Sequence, residues 1–187
     1  MRHTTPDVAI GLCYGQADVG LAESFDAEWA ALRPKLEHLV NPLVFSSPLQ
    51  RCAQLAQRAV NHYSFPAPLT DSRLMELNFG DWELKSWCNI PQGIVGEWTD
   101  EHVKQAPPNG ESYADLHRRA KEFLYDLAMH QNIKQALVFT HVGVIRALVA
   151  EALNMPLREV SRVEVNYGSV THIAIEAGVT RLEFVNR

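Results

Sequence analysis

Cysteine is scarce in this chain. Cys13, Cys52 and Cys88 are the only three in 187 residues, widely spaced and without a C-x-x-C pair. That pattern excludes a disulfide framework or a cysteine zinc site and predicts a reducing compartment, the cytoplasm. The eight histidines show no H-x-H or H-E-x-x-H spacing, so no metal site is expected. No cofactor is expected either: a Walker A loop and a G-x-G-x-x-G turn are both missing, which leaves nucleotide-driven chemistry without its phosphate cradle. Positive charge is short as well. With 17 Lys and Arg against 22 Asp and Glu the net charge is −5, whereas a nucleic-acid partner would call for a basic surface. A small phosphorylated molecule remains compatible, because an acidic protein can still build a local anion site. No apolar run approaches the roughly 20 residues of a membrane span, so no membrane partner is expected. The start, Met1 to Pro6, has no apolar stretch of the signal-peptide kind. Oligomeric state is not legible.

What is present is an ordinary globular composition, 47% hydrophobic and 21% charged, of a length that suits one domain over residues 1–187. Residues 6–22, with Pro6, Gly11, Gly15 and Gly20, read as a long ordered loop. Phe25, Trp29, Leu32, Leu36 and Leu39 gather on one face of a helix at about 23–40, which Pro34 should kink or split. Leu43 to Ser46 reads as a buried parallel strand. Ser47-Pro48 then opens a helix to about Tyr63, with Ser47 as the cap. Residues 68–75 are a weaker strand, and residues 76–110 a loop, of which 84–110 form a small cap. A helix at about 112–130 turns Leu116, Ala120, Phe123, Leu124 and Leu127 inward. Ala136 to Thr140 is a strand, Val144 to Asn154 a helix, and 162–166, 170–176 and 180–185 alternate as strands do. This order is that of an α/β domain with a mostly parallel sheet between helices.

Reactive side chains stand just past the ends of strands, the edge where open α/β sheets bind ligands. His141 follows the strand ending at Thr140, and Gly143 then turns the chain into a helix whose first N–H groups favour an anion. Arg51 sits beyond Ser46, Glu76 beyond the third strand, and Arg2 and His3 at the very start. Cys52 to Arg58 is spaced as C-x5-R, the pattern of cysteine-dependent phosphatases. The residues between, Ala53 to Gln57, hold no glycine and continue a helix, so Cys52 reads as a small buried residue.

Taken together these segments resemble the histidine phosphatase superfamily, the phosphoglycerate-mutase-like fold. Arg2-His3-Thr4 is similar to its Arg-His-Gly signature, with Thr4 in place of Gly, and Ser46 to Cys52 to its second. Glu76 to Glu83 resembles the segment bearing the proton-transfer carboxylate. Gly110-Glu111-Ser112 and Thr140-His141-Val142-Gly143 resemble the last two. Cys13 to Leu21 and Asn78 to Glu83 are similar to the α-ribazole phosphatase branch, whose members remove a 5′-phosphate from a cobalamin precursor. Related sugar-phosphate phosphatases share much of both segments.

The resemblance implies a three-layer α/β/α fold and a metal-free phosphatase for a small phosphate monoester. It implies His3 as nucleophile, since a covalent intermediate splits one hard displacement into two. Arg2, Arg51 and His141, the last protonated, would grip the phosphoryl oxygens, with Gln16 reaching in from the loop. Glu76 would handle the proton, its acidity tuned by burial beside Phe79 and Trp82. Asp81 and Glu83 read as solvated charge. Glu111, Ser112 and Trp82 are candidates for substrate contact, with Thr5 a further site candidate. Glu111 and Ser112 also suit a helix start. Trp87 and Trp98 would either stack on an aromatic leaving group or fill the cap. A mutase is disfavoured by the short 84–110 segment. A binding protein without turnover stays open, because family members carry an apolar strand before the Arg-His pair and only Met1 precedes it here. Either the start codon is placed too late or a central strand is missing, and in the second case His3 would be poorly anchored.

Overall fold

The apolar run Leu43–Ser46 is strand β1, the middle of a parallel sheet ordered β2–β1–β3, with β2 at Leu69–Thr70 and β3 at Ala136–Phe139. The computed structural model describes residues 1–91, 95, 101, 103–130, 133–176 and 178–187. Strand β1 lies in register with β3 from Leu43 opposite Ala136 to Ser46 opposite Phe139. Successive strand residues face opposite sides, so a four-residue strand can feed two cores. Val44, Leu137 and Phe139 pack with Trp29, Leu32, Leu36 and Leu55 on one side. Phe45 and Val138 pack with Leu116, Phe123, Val144 and Ala147 on the other. Helices α1 (Phe25–Leu32) and α2 (Gln50–Tyr63) therefore cover one face, and α3 (Tyr113–Met129) and α4 (Val142–Leu153) the other. These are the three layers expected. An antiparallel hairpin, β4 (His172–Glu176) and β5 (Val179–Phe184), adds Leu182 to a further cluster around Ile145, Val149 and Val165.

The chain start extends the sheet past β3. Arg2 bridges Thr140 in parallel; Thr140 N–H donates to Met1 O and His3 N–H to Thr140 O. Gly168 N–H closes the other side on His3 O at 3.1 Å. The weak anchoring that a missing central strand would bring is not found at His3: its backbone is bonded on both flanks and its side chain is 1% exposed.

Local chemistry explains where elements differ from the sequence reading. Pro34 splits the first helix as expected, the chain tightening into a 3-10 turn at Arg33–Leu36. Helix α2 begins at Gln50, because Leu49 is extended (ψ 134°) and Ser47 N–H is still bonded to Phe139 O. Ser47 is not the cap. The strand at 68–75 shrinks to two residues, since the Asp71 carboxylate accepts Arg73 N–H and turns the chain into a 3-10 helix at Ser72–Leu74. Residues 162–166 form no strand. A 3-10 helix occupies Leu157–Arg162, and the carbonyls of Val163 and Val165 accept from the Arg146 and Arg2 side chains instead of a neighbouring strand. Helix α3 starts with a capping box in which Ser112 and Asp115 each bond the other's backbone N–H. In the 84–110 segment a 3-10 turn is described at Trp87–Asn89; Trp98 lies outside the described residues.

Candidate active site

The ends of β1, β2 and β3 and the Arg2–His3 rung all open on the same edge of the sheet, and their side chains meet there. His3 Nδ1 lies 2.7 Å from Thr4 O. A carbonyl can only accept, so Nδ1 carries the proton and Nε2 keeps a free lone pair. The His141 ring stands 5.0 Å from the His3 ring, centroid to centroid, at 60°. Arg51, fully buried, donates from Nε to His141 Nδ1 (3.3 Å), from Nη1 to Ala17 O (2.9 Å) and from Nη2 to Gly15 O (2.6 Å). With Nδ1 accepting, His141 donates from Nε2 to Ser47 Oγ at 2.8 Å, and Cys52 Sγ sits 3.4 Å from the same nitrogen. Arg2 donates from Nη1 to Val165 O, while its buried Nε has no hydrogen-bond partner among the described residues. An orphaned, buried cationic N–H is what an anion would satisfy.

Burial and the neighbouring guanidinium of Arg51 lower the His3 pKa to about 3. Burial, His3 and Arg51 likewise hold His141 well below the ordinary histidine range. Both rings are neutral near pH 7. For His3 this is the reactive form of a nucleophile. For His141 it corrects the expectation of a protonated ring: its Nδ1 already accepts from a permanent cation, and no carboxylate among the described residues is paired with it.

Glu76 is 8% exposed, and its carboxylate accepts from Leu77 N–H (2.9 Å) and Gly143 N–H (3.1 Å). The group that caps the start of α4 is thus the Glu76 side chain. A Cβ on Gly143 would stand 2.2 Å from Glu76 Oε1, so the glycine makes room for the acid. The turn carrying Glu76 is fixed from α3: Arg119 donates to Arg73 O, Met75 O and Glu76 O and pairs with Glu111 at 2.6 Å. Glu111 also accepts from Asn78 N–H. A second brace holds the loop after His3. Glu83 accepts from the N–H groups of Gln16, Ala17 and Phe79, and the loop it grips offers Gly15 O and Ala17 O to Arg51. Gly15 has φ +33° and no space for a Cβ, which would lie 2.3 Å from Glu83 Oε1.

Of the residues expected at the site, the structure brings together His3, His141, Arg51 and Arg2, with Glu76 two residues' reach away at Gly143. Gln16 borders this group, but its side-chain amide donates to Glu76 O. Glu111 and Ser112 are occupied by Arg119 and by the α3 cap. Thr5 N–H bonds Glu28 in α1. Trp82 is corrected to a packing residue, 5% exposed with Cys13 and Ile90, and Trp87 packs against the same cluster. Asp81 is exposed and accepts from Asn109, whereas Glu83 is corrected from solvated charge to a loop brace. Sequence reasoning missed Arg119, Ser47, Tyr14 and Tyr167. Arg119 carried a signal: it falls three after Leu116 and four before Phe123, on the inward stripe of α3. Ser47 and Tyr14 lie within segments that carry the family resemblance, and Tyr167 shows no signal in sequence. No three His, Cys, Asp or Glu side chains among the described residues converge as a metal ion requires.

Comparison with known proteins adds to this geometry. The model of the histidine phosphatase superfamily (branch 1) matches residues 1–187. The adenosylcobalamin/alpha-ribazole phosphatase of Salmonella typhimurium is 27% identical, over 100% of this chain and 94% of its own; that of Escherichia coli is 26% identical over 100% and 93%. The crystal structure of an alpha-ribazole phosphatase from Shigella flexneri superposes with a TM-score of 0.89 at 26% identity, covering 100% of this chain and 94% of the other. A mycobacterial glucosyl-3-phosphoglycerate phosphatase shares the fold, with a TM-score of 0.86 at 24% identity over 99% and 95%.

Proposed function

We propose that this chain, which belongs to the histidine phosphatase superfamily, branch 1, hydrolyses α-ribazole 5′-phosphate through a phosphohistidine on His3. The observation that carries the chemistry is the state of the His3 ring: buried, neutral, its Nδ1 tied to Thr4 O and its Nε2 free beside Arg51, Arg2 and His141. The substrate is taken from the two curated relatives and the Shigella structure, which are alike over the whole chain.

In this reading the dianionic phosphoryl group sits against Arg51 and the free Nε–H of Arg2, and His141 turns its Nε2–H from Ser47 Oγ to a phosphoryl oxygen. Their fixed charge and dipoles offset the negative charge spread over the transferring oxygens. His3 Nε2 attacks phosphorus in line, forming the N–P bond as the P–O bond to the leaving group breaks. Glu76 delivers a proton to the departing oxygen. Water then attacks phosphorus, giving its proton back to Glu76, and the N–P bond breaks to release phosphate and restore the His3 lone pair. No metal enters these steps. The whole chain acts as one domain, with residues 84–110 as a small cap, in the reducing cytoplasm that three free cysteines suit.

With a chelator present, wild type should hydrolyse p-nitrophenyl phosphate and yield an acid-labile, base-stable phosphoenzyme that His3→Ala does not form. A phosphoenzyme in His3→Ala, or none in wild type, sinks the chemistry. A kcat/KM for α-ribazole 5′-phosphate below that for p-nitrophenyl phosphate sinks only the substrate.

A further inference from the structure

Above the buried cluster stands a second storey that the reaction just described does not use. Tyr14 precedes Gly15, whose carbonyl holds Arg51; Tyr167 precedes Gly168, whose N–H holds His3 O. The Arg51 guanidinium carbon is 5.3 Å from the Tyr14 ring centre, and that of Arg2 is 3.7 Å over the Tyr167 ring. The His3 ring is 5.5 Å from Tyr167. Each phosphate-gripping arginine thus has its own tyrosine, at distances where a cation is drawn to a ring face. The two tyrosines come from segments 153 positions apart and meet through their hydroxyls at 2.9 Å, on the solvent side. His3, Arg51 and His141 are 0–1% exposed, while Tyr167 is 39% exposed. The hydroxyl pair is the level at which the buried cluster gives way to water.

A phosphoryl group seated on the inner cluster must project its ester oxygen and leaving group outward through this level. We infer that Tyr14 and Tyr167 are the leaving-group-determining residues of this enzyme, exchanging their mutual hydrogen bond for bonds to the hydroxyls of a sugar. Two phenols at hydrogen-bonding distance already match the donor-and-acceptor pair that a sugar diol presents, and the exchange leaves neither partner unpaired. Burial and the bond to Tyr167 push the Tyr14 phenol up, so it stays protonated and able to donate. A leaving group without hydroxyls would split the pair and return nothing, which is how a polar site rejects an analogue.

This rests on the hydrolase reading above and names the chemistry its substrate must carry. The test uses Tyr14→Phe and Tyr167→Phe, which keep the rings over both arginines and remove only the hydroxyls. Steady-state kcat/KM is measured for ribose 5-phosphate and phenyl phosphate, with fold checked by thermal unfolding. The ratio of the sugar ester to the aryl ester should fall by about tenfold in each variant, the effect of one lost hydrogen bond. A ratio unchanged from wild type, whether both esters decline together or neither does, overturns the inference. Failure of the underlying reading looks different: wild type would then turn over neither ester and form no phosphoenzyme.

Discussion

Glycine at position 143 has no room for a side chain, because the Glu76 carboxylate approaches its backbone N–H at 3.1 Å. A methyl group there would overlap Oε1 at 2.2 Å, so Gly143→Ala must push the carboxylate off the α4 terminus. The position is helical and the backbone tolerates alanine, which separates the effect on the acid from any on the fold. A shift of about 1 Å in a proton-transfer group is expected to lower kcat about a hundredfold. Pre-steady-state phosphoenzyme formation and thermal unfolding check this together: slow formation with a melting temperature near wild type is the expected pair, and wild-type rates would show that Glu76 is not the proton donor. At this scale the residue types were legible from sequence and their states were not. His3 and Arg51 were recognisable by spacing, but the neutral form of His141 depends on burial and on the Arg51, Arg119 and Arg2 cations delivered by other segments.

Among elements, helix α3 does more than cover the sheet. Its capping box fixes where it starts, and one turn of its buried face carries Arg119, which gathers the carbonyls of Arg73, Met75 and Glu76. Planar, forked donors are needed to bridge three acceptors, and a lysine cannot supply them. On the proposed mechanism Arg119→Lys should therefore lower kcat about tenfold while leaving KM near wild type, since the Glu76 turn loosens but the cluster of His3, Arg51 and His141 is untouched. Leaving buried carbonyls short of partners costs about 1–3 kcal/mol, so the melting temperature should drop as well. A KM effect without a kcat effect would place Arg119 in binding instead. The strands and helices with clear periodicity were foreseeable: β1, the split at Pro34, and the inward stripe of α3. Elements set by side chains from elsewhere were not. Residues 163 and 165 alternate like a strand, yet their carbonyls serve Arg146 and Arg2.

For the molecule as a whole, keeping two buried, neutral histidines beside arginine side chains ties stability to pH. Both fold with pKa values below the ordinary 6.5, His3 at about 3 and His141 well below 6.5. Below pH 6.5 the unfolded chain takes up protons that the folded chain refuses, so unfolding is favoured as pH falls. This stability is complete above 6.5 and declines below it, continuing to about 3 for His3, by up to about 1.4 kcal/mol per pH unit for each ring. Wild type should melt at lower temperature at pH 5 than at pH 7. His141→Asn should flatten the slope between those values, and an identical slope in the variant would remove His141 as a source. Above pH 6.5 the two should differ by a constant amount.

Sequence by itself determined the layered α/β class, the sites where reactive residues leave strand ends, and the kinship to the phosphohistidine-forming family. The first two follow from local rules, side-chain period and turn chemistry, and the kinship from the resemblance of short motifs along one chain. Only the tertiary structure decided that Glu83 and Arg119 are braces, that Trp82 is core, that His141 is neutral, and that Tyr14 meets Tyr167. Each of those depends on which distant segment arrives alongside. Burial, an unpaired N–H and a shared hydrogen bond are properties of the assembled neighbourhood, and no stretch of chain carries them alone.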